Sequence, residues 1–154
     1  MSRIAYVNGQ YVPHAEAHIH IEDRGYQFAD GVYEVAAVWR GRIIDEDGHL
    51  TRLKRSLDEL HMTMPMADRP FAMVCRETLR QNRVRDGIIY IQISRGVSRR
   101  DHPFPENVER ALVMTARAVD WPTDADDDSG AHVVSVADIR WLRRDVKSIS
   151  LLPN

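Results

Sequence analysis

The chain has 154 residues, with 21 basic and 23 acidic residues, a formal net charge of −2 and one cysteine. This length suits about one domain, and the nearly balanced charge excludes a global field that would attract nucleic acid or an anionic membrane. A lone cysteine excludes an internal disulfide, and with neither an export signal nor an apolar run of about 18 residues, we expect a cytoplasmic protein.

Two β-hairpins are predicted first. The dipeptide Asn8-Gly9 separates alternating apolar and polar residues in IAYVNGQYVP, and both positions suit the positive φ angles of a tight turn. The stretch EDRGYQFADGVYEV, residues 22–35, is interpreted as a glycine-bounded connection that enters a strand. The run VYEVAAVW after Gly31 is rich in β-branched and aromatic residues, and with Arg40-Gly41-Arg42 and Ile43-Ile44 it predicts the second hairpin.

Two helices are predicted next. Four leucines recur at helical spacing in HLTRLKRSLDELHM and predict an amphipathic helix that Pro65 terminates: Leu50, Leu53, Leu57 and Leu60. Lys54 lies off this apolar stripe and is interpreted as a solvated surface charge. A second helix is predicted over residues 68–83, and its inward-facing residues would be Phe71, Val74, Thr78 and Leu79.

The second half of the chain predicts further strands. IIYIQIS (88–94) and ALVMTARAV (111–119) flank a long charged loop, which is where functional side chains are often displayed. WPTDADDDSG (121–130) has no periodicity and predicts a linker, and HVVSVADIRW alternates again as a strand. The order of elements predicts an α+β fold, a sheet with its helices on one side, in a domain of residues 1–120.

Lys147 is a candidate for covalent chemistry. It is one of only two lysines among the 21 basic residues. Lysine, unlike arginine, can lose its proton and attack a carbonyl to form a Schiff base. The cationic neighbours Arg143 and Arg144 and the apolar residues that follow would favour the neutral amine through like charge and desolvation. On composition alone, a solvated surface lysine remains the alternative.

Tyr33 and the loop SRGVSRRDHPFPEN (94–107) are candidates for ligand binding. On a strand, Tyr33 could point into a cavity while its two neighbours pack on the opposite side. The loop concentrates four basic or titratable side chains, namely Arg95, Arg99, Arg100 and His102. Arginine forks match carboxylates, so the loop predicts a substrate clamp, with an ordinary solvated loop as the alternative.

A metal site is not predicted from the histidines near the start of the chain. His14, His18 and His20 are close in sequence, but no cysteine or paired carboxylate completes a ligand shell around them.

Four stretches in order resemble the class IV, fold-type IV pyridoxal-phosphate aminotransferases, and among them the D-amino acid aminotransferases (D-alanine transaminases). They are EDRGYQFADGVYEV, HLTRL, SRGVSRRDHPFPEN and DIRWLRRDVKSISLL. The resemblance implies a pyridoxal 5′-phosphate cofactor, a homodimer, and transfer of the amino group of a D-amino acid to a 2-oxo acid such as 2-oxoglutarate. The cofactor would supply the electron sink, and the protein would supply orientation, proton transfer and carboxylate capture.

The resemblance also implies residue roles. Lys147 matches the lysine that bonds to the cofactor aldehyde and then moves a proton between the substrate Cα and the cofactor. Arg52, in HLTRL, matches the arginine that holds the cofactor phosphate. Tyr33, Arg100 and His102 match the trap for the substrate α-carboxylate, with the arginine and the histidine reaching in from the other subunit.

Members of this family continue well beyond the lysine segment. The resemblance implies that residues 131–154 begin a cofactor-binding domain. Its remainder would supply the carboxylate that pairs with the pyridinium nitrogen and most of the phosphate-binding groups. Two alternatives stay open: a non-catalytic folding and dimerisation module, and a branched-chain aminotransferase or aminodeoxychorismate lyase relative that shares the lysine.

Overall fold

The computed structural model describes residues 3–121, 132–138 and 141–152. The strands are β1 (Ile4–Val7), β2 (Gln10–Pro13), β3 (Gly31–Trp39), β4 (Arg42–Ile43), β5 (Gly87–Ser94) and β6 (Ala111–Ala118). The helices of the described residues are α1 (Arg24–Phe28), α2 (Glu46–Glu59) and α3 (Asp68–Gln81), with a short 3₁₀ turn at His14–Glu16. The strands form one antiparallel sheet in the order β2-β1-β6-β5-β3-β4.

Both predicted hairpins are confirmed. The turn between β1 and β2 has Asn8 at φ 46° and Gly9 at φ 97°, and the turn between β3 and β4 has Arg40 at φ 49° and Gly41 at φ 78°. Positive φ at both central positions matches the right-handed twist of the flanking strands, which is why these short turns close the hairpins.

Helices α2 and α3 cover one face of the sheet, which confirms the α+β prediction. Alternate residues of β3 are fully buried on that face, including Glu34 and Ala36. The apolar ones among them pack with Leu53 and Leu57 of α2 and with Phe71 of α3 in one core cluster. Helix α2 ends at Glu59, six residues before Pro65. None of the helices in the described part of the chain has the length and apolar character that a membrane crossing requires.

The single cysteine lies in this core and should be inert. Cys75 of α3 is 2% exposed, and burial raises the pKa of its thiol to about 12. Because the thiolate is the reactive form, we expect iodoacetamide at pH 8 to leave Cys75 unmodified in the native protein and to alkylate it after urea unfolding, as measured by intact mass. Alkylation of the native protein at the unfolded rate would contradict this packing.

Two stretches differ from the sequence prediction. The connection after residue 22 contains helix α1, where Asp23 caps the start by accepting a hydrogen bond from Gly25 N at 2.8 Å. Five residues are too few to show helical periodicity. The strand predicted from residue 132 is wrong over residues 132–138, which are exposed and join no strand ladder within the described residues. Alternation in sequence does not by itself supply the neighbouring strand whose backbone a strand must pair with. Residues 122–131, most of the predicted linker, lie outside the described residues, so the domain division stays a prediction.

Candidate active site

The segment that carries Lys147 pairs with the free edge of β3. Strand β4 pairs only with the far end of β3, so the edge near Gly31 is open to another segment. Tyr33 N donates to Lys147 O at 3.0 Å, and Ile149 N donates to Gly31 O at 3.1 Å. Helix α2 adds a third contact, because Lys147 N donates to Ser56 Oγ at 3.2 Å. Three hydrogen bonds of the backbone therefore fix where the lysine side chain begins.

The side chain of Lys147 lies against an aromatic pair. Its Nζ is 4.2 Å from the ring centroid of Tyr33, which stacks on Tyr90 with centroids 5.8 Å apart. Lys147 and Tyr33 line one cavity of about 110 Å³, together with Trp141 and Arg144. Within the described residues Nζ has neither a hydrogen bond nor a carboxylate partner, so the amine is available to an incoming electrophile.

The two cationic neighbours of Lys147 in sequence are themselves ion-paired. Arg143 contacts Glu59 at 2.5 Å and Asp145 at 3.2 Å, and Arg144 Nε lies 3.1 Å from Asp138. Nearby carboxylates offset the like charge that the sequence led us to expect beside the lysine.

Arg52, on α2, forms a two-point salt bridge with Glu34 of β3. Its Nε donates to Oε1 at 2.7 Å and its Nη2 to Oε2 at 2.6 Å, while His49 Nδ1 lies 2.7 Å from Oε2. Burial alone would raise the pKa of Glu34, but the hydrogen bonds from Arg52 and His49 outweigh burial and hold that pKa below its ordinary value. Because the carboxylate is ionised, the hydrogen of the His49 contact lies on Nδ1.

The salt bridge leaves part of Arg52 open. Its Nη1 has no hydrogen-bond partner among the described residues, and 47% of the side chain is exposed. The hydrogen bond with Glu34 raises the pKa of Arg52, so its charge is permanent. Ser56, which contacts the Lys147 backbone, lies one helical turn further along α2. A guanidinium with an open nitrogen can donate to a phosphate oxygen.

Glu34 was assigned no role from the sequence. The available signal was its position: an acid on the buried face of a strand, between Val32 and Ala36, requires a charged or hydrogen-bonding partner nearby.

Arg100 and His102 lie on the loop between β5 and β6. His102 lines a cavity of about 340 Å³, and this cavity shares residues with the Lys147 cavity, namely Trp141, Ser148 and Ser150. Within the described residues no contact joins Arg100 or His102 to Tyr33 or Lys147. One chain therefore brings Lys147, Tyr33 and the Arg52 helix together, and places His102 in a cavity that adjoins theirs.

Comparisons with known proteins identify the family of the chain. The family model of amino-transferase class IV matches residues 31–154. The chain is 38% identical over 150 residues to D-alanine aminotransferase from Staphylococcus haemolyticus, across 97% of this chain and 53% of that protein. The chain thus spans about half the length of the curated relatives it matches.

Two solved structures share the fold, and each match covers 77% of this chain. One is the branched-chain amino acid aminotransferase from Escherichia coli, with a TM-score of 0.71, 16% identity and a match over 42% of that chain. The other is 4-amino-4-deoxychorismate lyase from Pseudomonas aeruginosa, with a TM-score of 0.61, 22% identity and a match over 41% of that chain. The fold-type IV prediction is confirmed. Since the family model takes in more than half of the sequence, including β3 and the Lys147 segment, the chain belongs to the class IV aminotransferase family.

Proposed function

We propose that the whole protein is a cytoplasmic, homodimeric D-amino acid aminotransferase that uses pyridoxal phosphate. The observation that carries the proposal is the position of Lys147: its backbone is fixed between β3 and α2, and its amine lies over Tyr33 in a small cavity. The D-alanine aminotransferase relatives support the choice of substrate. When bound, the cofactor supplies the electron sink that makes the substrate Cα acidic.

The residues of this chain divide the remaining work. Lys147 would hold the cofactor through its amine and would exchange a proton with the substrate Cα, which an amine can do and a guanidinium cannot. Arg52 would hold the phosphate, and its salt bridge with Glu34 orients the guanidinium for that contact. Tyr33 forms part of the carboxylate trap.

Arg100 and His102 complete the trap in a homodimer. Within the described residues neither of them contacts Tyr33 in its own chain, which supports the use by a second copy that the family resemblance implies. The substrate carboxylate would then be bound by one protomer at a lysine that belongs to its partner. A shared site of this kind ties activity to dimerisation.

The test compares enantiomers and one arginine variant. With pyridoxal phosphate and 2-oxoglutarate, we expect pyruvate from D-alanine and far less from L-alanine. Arg100→Ala should raise the KM for D-alanine about 30-fold or more, because loss of one partner from a charge pair costs about 2–5 kcal/mol.

Arg99→Ala is the matched control, since Arg99 is equally exposed and has no ion pair or hydrogen bond among the described residues. An unchanged KM in Arg100→Ala, or a preference for L-leucine, would contradict the D-amino acid assignment. If the wild-type chain showed neither turnover nor cofactor binding, the non-catalytic module would be favoured instead.

A further inference from the structure

The loop that carries Arg100 and His102 is closed at its base. Arg110 Nη1 donates to Arg95 O at 3.2 Å, joining the two ends. Gly96 has φ 104°, and a side chain there would overlap the carbonyl oxygen of Glu109. The first and last residues of the loop therefore lie close together. The residues between them form no helix or strand. Side-chain contacts must set the direction in which Arg100 points.

Those contacts form one alternating series of cations and aromatic rings. The guanidinium carbon of Arg95 lies 4.0 Å from the Phe104 ring centroid, and that of Arg24 lies 5.8 Å from the same ring. Arg24 is also 4.8 Å from the Phe28 ring, and the guanidinium carbon of Arg100 lies 4.9 Å from Phe28. The series thus runs Arg95, Phe104, Arg24, Phe28, Arg100, and it ends on the predicted carboxylate-binding residue.

The inner arginines of this series are buried and share one ion-pair partner. Arg24 and Arg95 are 4% and 2% exposed, and their Nε atoms both donate to Asp30 Oδ2, at 2.8 and 2.7 Å. Arg24 Nη1 also donates to the carbonyl oxygen of Asp101, the residue between Arg100 and His102, at 2.8 Å. Arg24 therefore contacts both the backbone of the loop next to Arg100 and the Phe28 ring over which Arg100 lies.

Arg100 is held in a way that leaves its hydrogen-bond donors free. A guanidinium can stack through its face and donate through its edge at the same time. Arg100 stacks on Phe28, and within the described residues its nitrogens have no hydrogen bond or ion pair. The contact with Phe28 thus leaves the guanidinium nitrogens available for a carboxylate. The ring of His102 meets Phe28 at a centroid distance of 6.3 Å, so the same ring contacts both trap residues.

We propose that Phe28, Arg24 and Phe104 are positioning residues that pre-order Arg100 for carboxylate binding. Pre-ordering matters because a free arginine would lose rotamer entropy each time it captured a substrate. The role given to Arg100 rests on the proposed function, whereas the stacking that orders it does not.

The test measures the mobility of the Arg100 side chain in the 154-residue protein. Arg99 and Arg100 are adjacent and both exposed, but only Arg100 stacks, so Arg99 is an internal reference. By ¹⁵N NMR relaxation, the Nε–H order parameter of Arg99 should lie below about 0.6 and that of Arg100 clearly above it. Phe28→Leu should reduce Arg100 to the Arg99 value, while Phe28→Tyr, which keeps the aromatic face, should preserve the difference.

A second variant guards against a folding defect. Phe104 is 60% exposed, so Phe104→Leu should fold normally, and circular dichroism checks this. It should loosen Arg100 less than Phe28→Leu does, because it acts through Arg24. Equal mobility of Arg99 and Arg100 in the wild-type protein, or an unchanged Arg100 in Phe28→Leu, would overturn the inference.

Kinetics separate this inference from the proposed function. In active dimer, Phe28→Leu should raise the KM for D-alanine about two- to fivefold, the range of an exposed cation–π contact, and leave kcat unchanged. If Phe28→Leu lowered the order parameter of Arg100 and left the KM unchanged, the positioning by Phe28 would be supported. The assignment of Arg100 to the substrate carboxylate would then be contradicted.

Discussion

Lys147→Ala is expected to abolish covalent attachment of pyridoxal phosphate and to lower amino transfer by about 10²–10⁴-fold or more, the usual share of a positioned proton-transfer group. The expectation follows from the position of the amine. Backbone contacts to Tyr33 and Ser56 fix the origin of the side chain, and Nζ has no carboxylate partner among the described residues. No carboxylate therefore blocks the approach of a carbonyl carbon to Nζ among the described residues.

Two variants show whether a charge or an amine is needed. Lys147→Arg keeps the length and the positive charge but cannot form a Schiff base, so it should fail as completely as alanine. Lys54→Ala changes the other lysine of the chain, which is exposed and paired with Asp68 at 2.6 Å, and it should behave as the wild type.

The measurement is reduction with borohydride after incubation with pyridoxal phosphate, followed by peptide mapping. The label should appear on the peptide that contains Lys147 and should disappear in both Lys147 variants. A label on Lys54, or a label that persists in Lys147→Ala, would remove the basis of the proposed mechanism.

Local sequence patterns were enough to predict the six strands of the sheet and the two long helices. The hairpins follow from turn residues at positions 8–9 and 40–41, and α2 and α3 follow from apolar spacing, because each of these signals acts within a few residues. Helix α1 is different. Its start depends on the Asp23 cap and its end on the positive φ of Ala29, and neither leaves a periodic pattern in five residues.

The organisation of the site depends on contacts far apart in sequence. Arg24 and Phe104 meet across a separation of about 80 residues, and Glu34 finds its partners on the following helix. A resemblance to a family named Lys147, Tyr33 and Arg100, but no local pattern indicates which buried arginines share Asp30. Such shared contacts are set by the register of β3 against β5, which places the two segments side by side.

The position of Lys147 was likewise hidden from local reasoning. Residues 146–149 show no strand alternation, yet Ser148 forms a bridge with Val32 at the open end of β3. Pairing with an edge that β4 leaves free is a property of the assembled sheet. Backbone hydrogen bonds thus determine where Lys147 lies, and such bonds cannot be predicted from the side chains of residues 146–149.

Asp30→Asn is expected to lower the free energy of unfolding by about 3–5 kcal/mol, the range for removing one partner of a buried charge pair. One carboxylate oxygen of Asp30 accepts from both Arg24 and Arg95, whose side chains are only 5% and 3% exposed. Asparagine keeps the shape but leaves two buried guanidinium groups facing each other without a counter-charge. Urea unfolding at pH 7 measures the change.

A matched control separates burial from charge. Asp68→Asn breaks an exposed salt bridge, in which the two side chains are 40% and 57% exposed, and should cost less than about 1 kcal/mol. A loss for Asp30→Asn no larger than this control would mean that the two arginines are satisfied by their aromatic neighbours and backbone carbonyls alone.

The pH dependence gives a second, independent test of the same carboxylate. Burial would raise the pKa of Asp30, but hydrogen bonds and charges from Arg95 and Arg24 outweigh burial and lower it. A lowered folded-state pKa means that the stabilisation is complete above the unfolded value of about 3.9 and is lost as pH falls through the folded value. The stability difference between wild type and Asp30→Asn should therefore be constant from pH 7 to about pH 5 and should shrink below about pH 4. If the stability difference between wild type and Asp30→Asn stayed constant below pH 4, Asp30 would not act through its charge. Only the wild type loses a negative charge at this position in acid, because asparagine carries no charge at any pH.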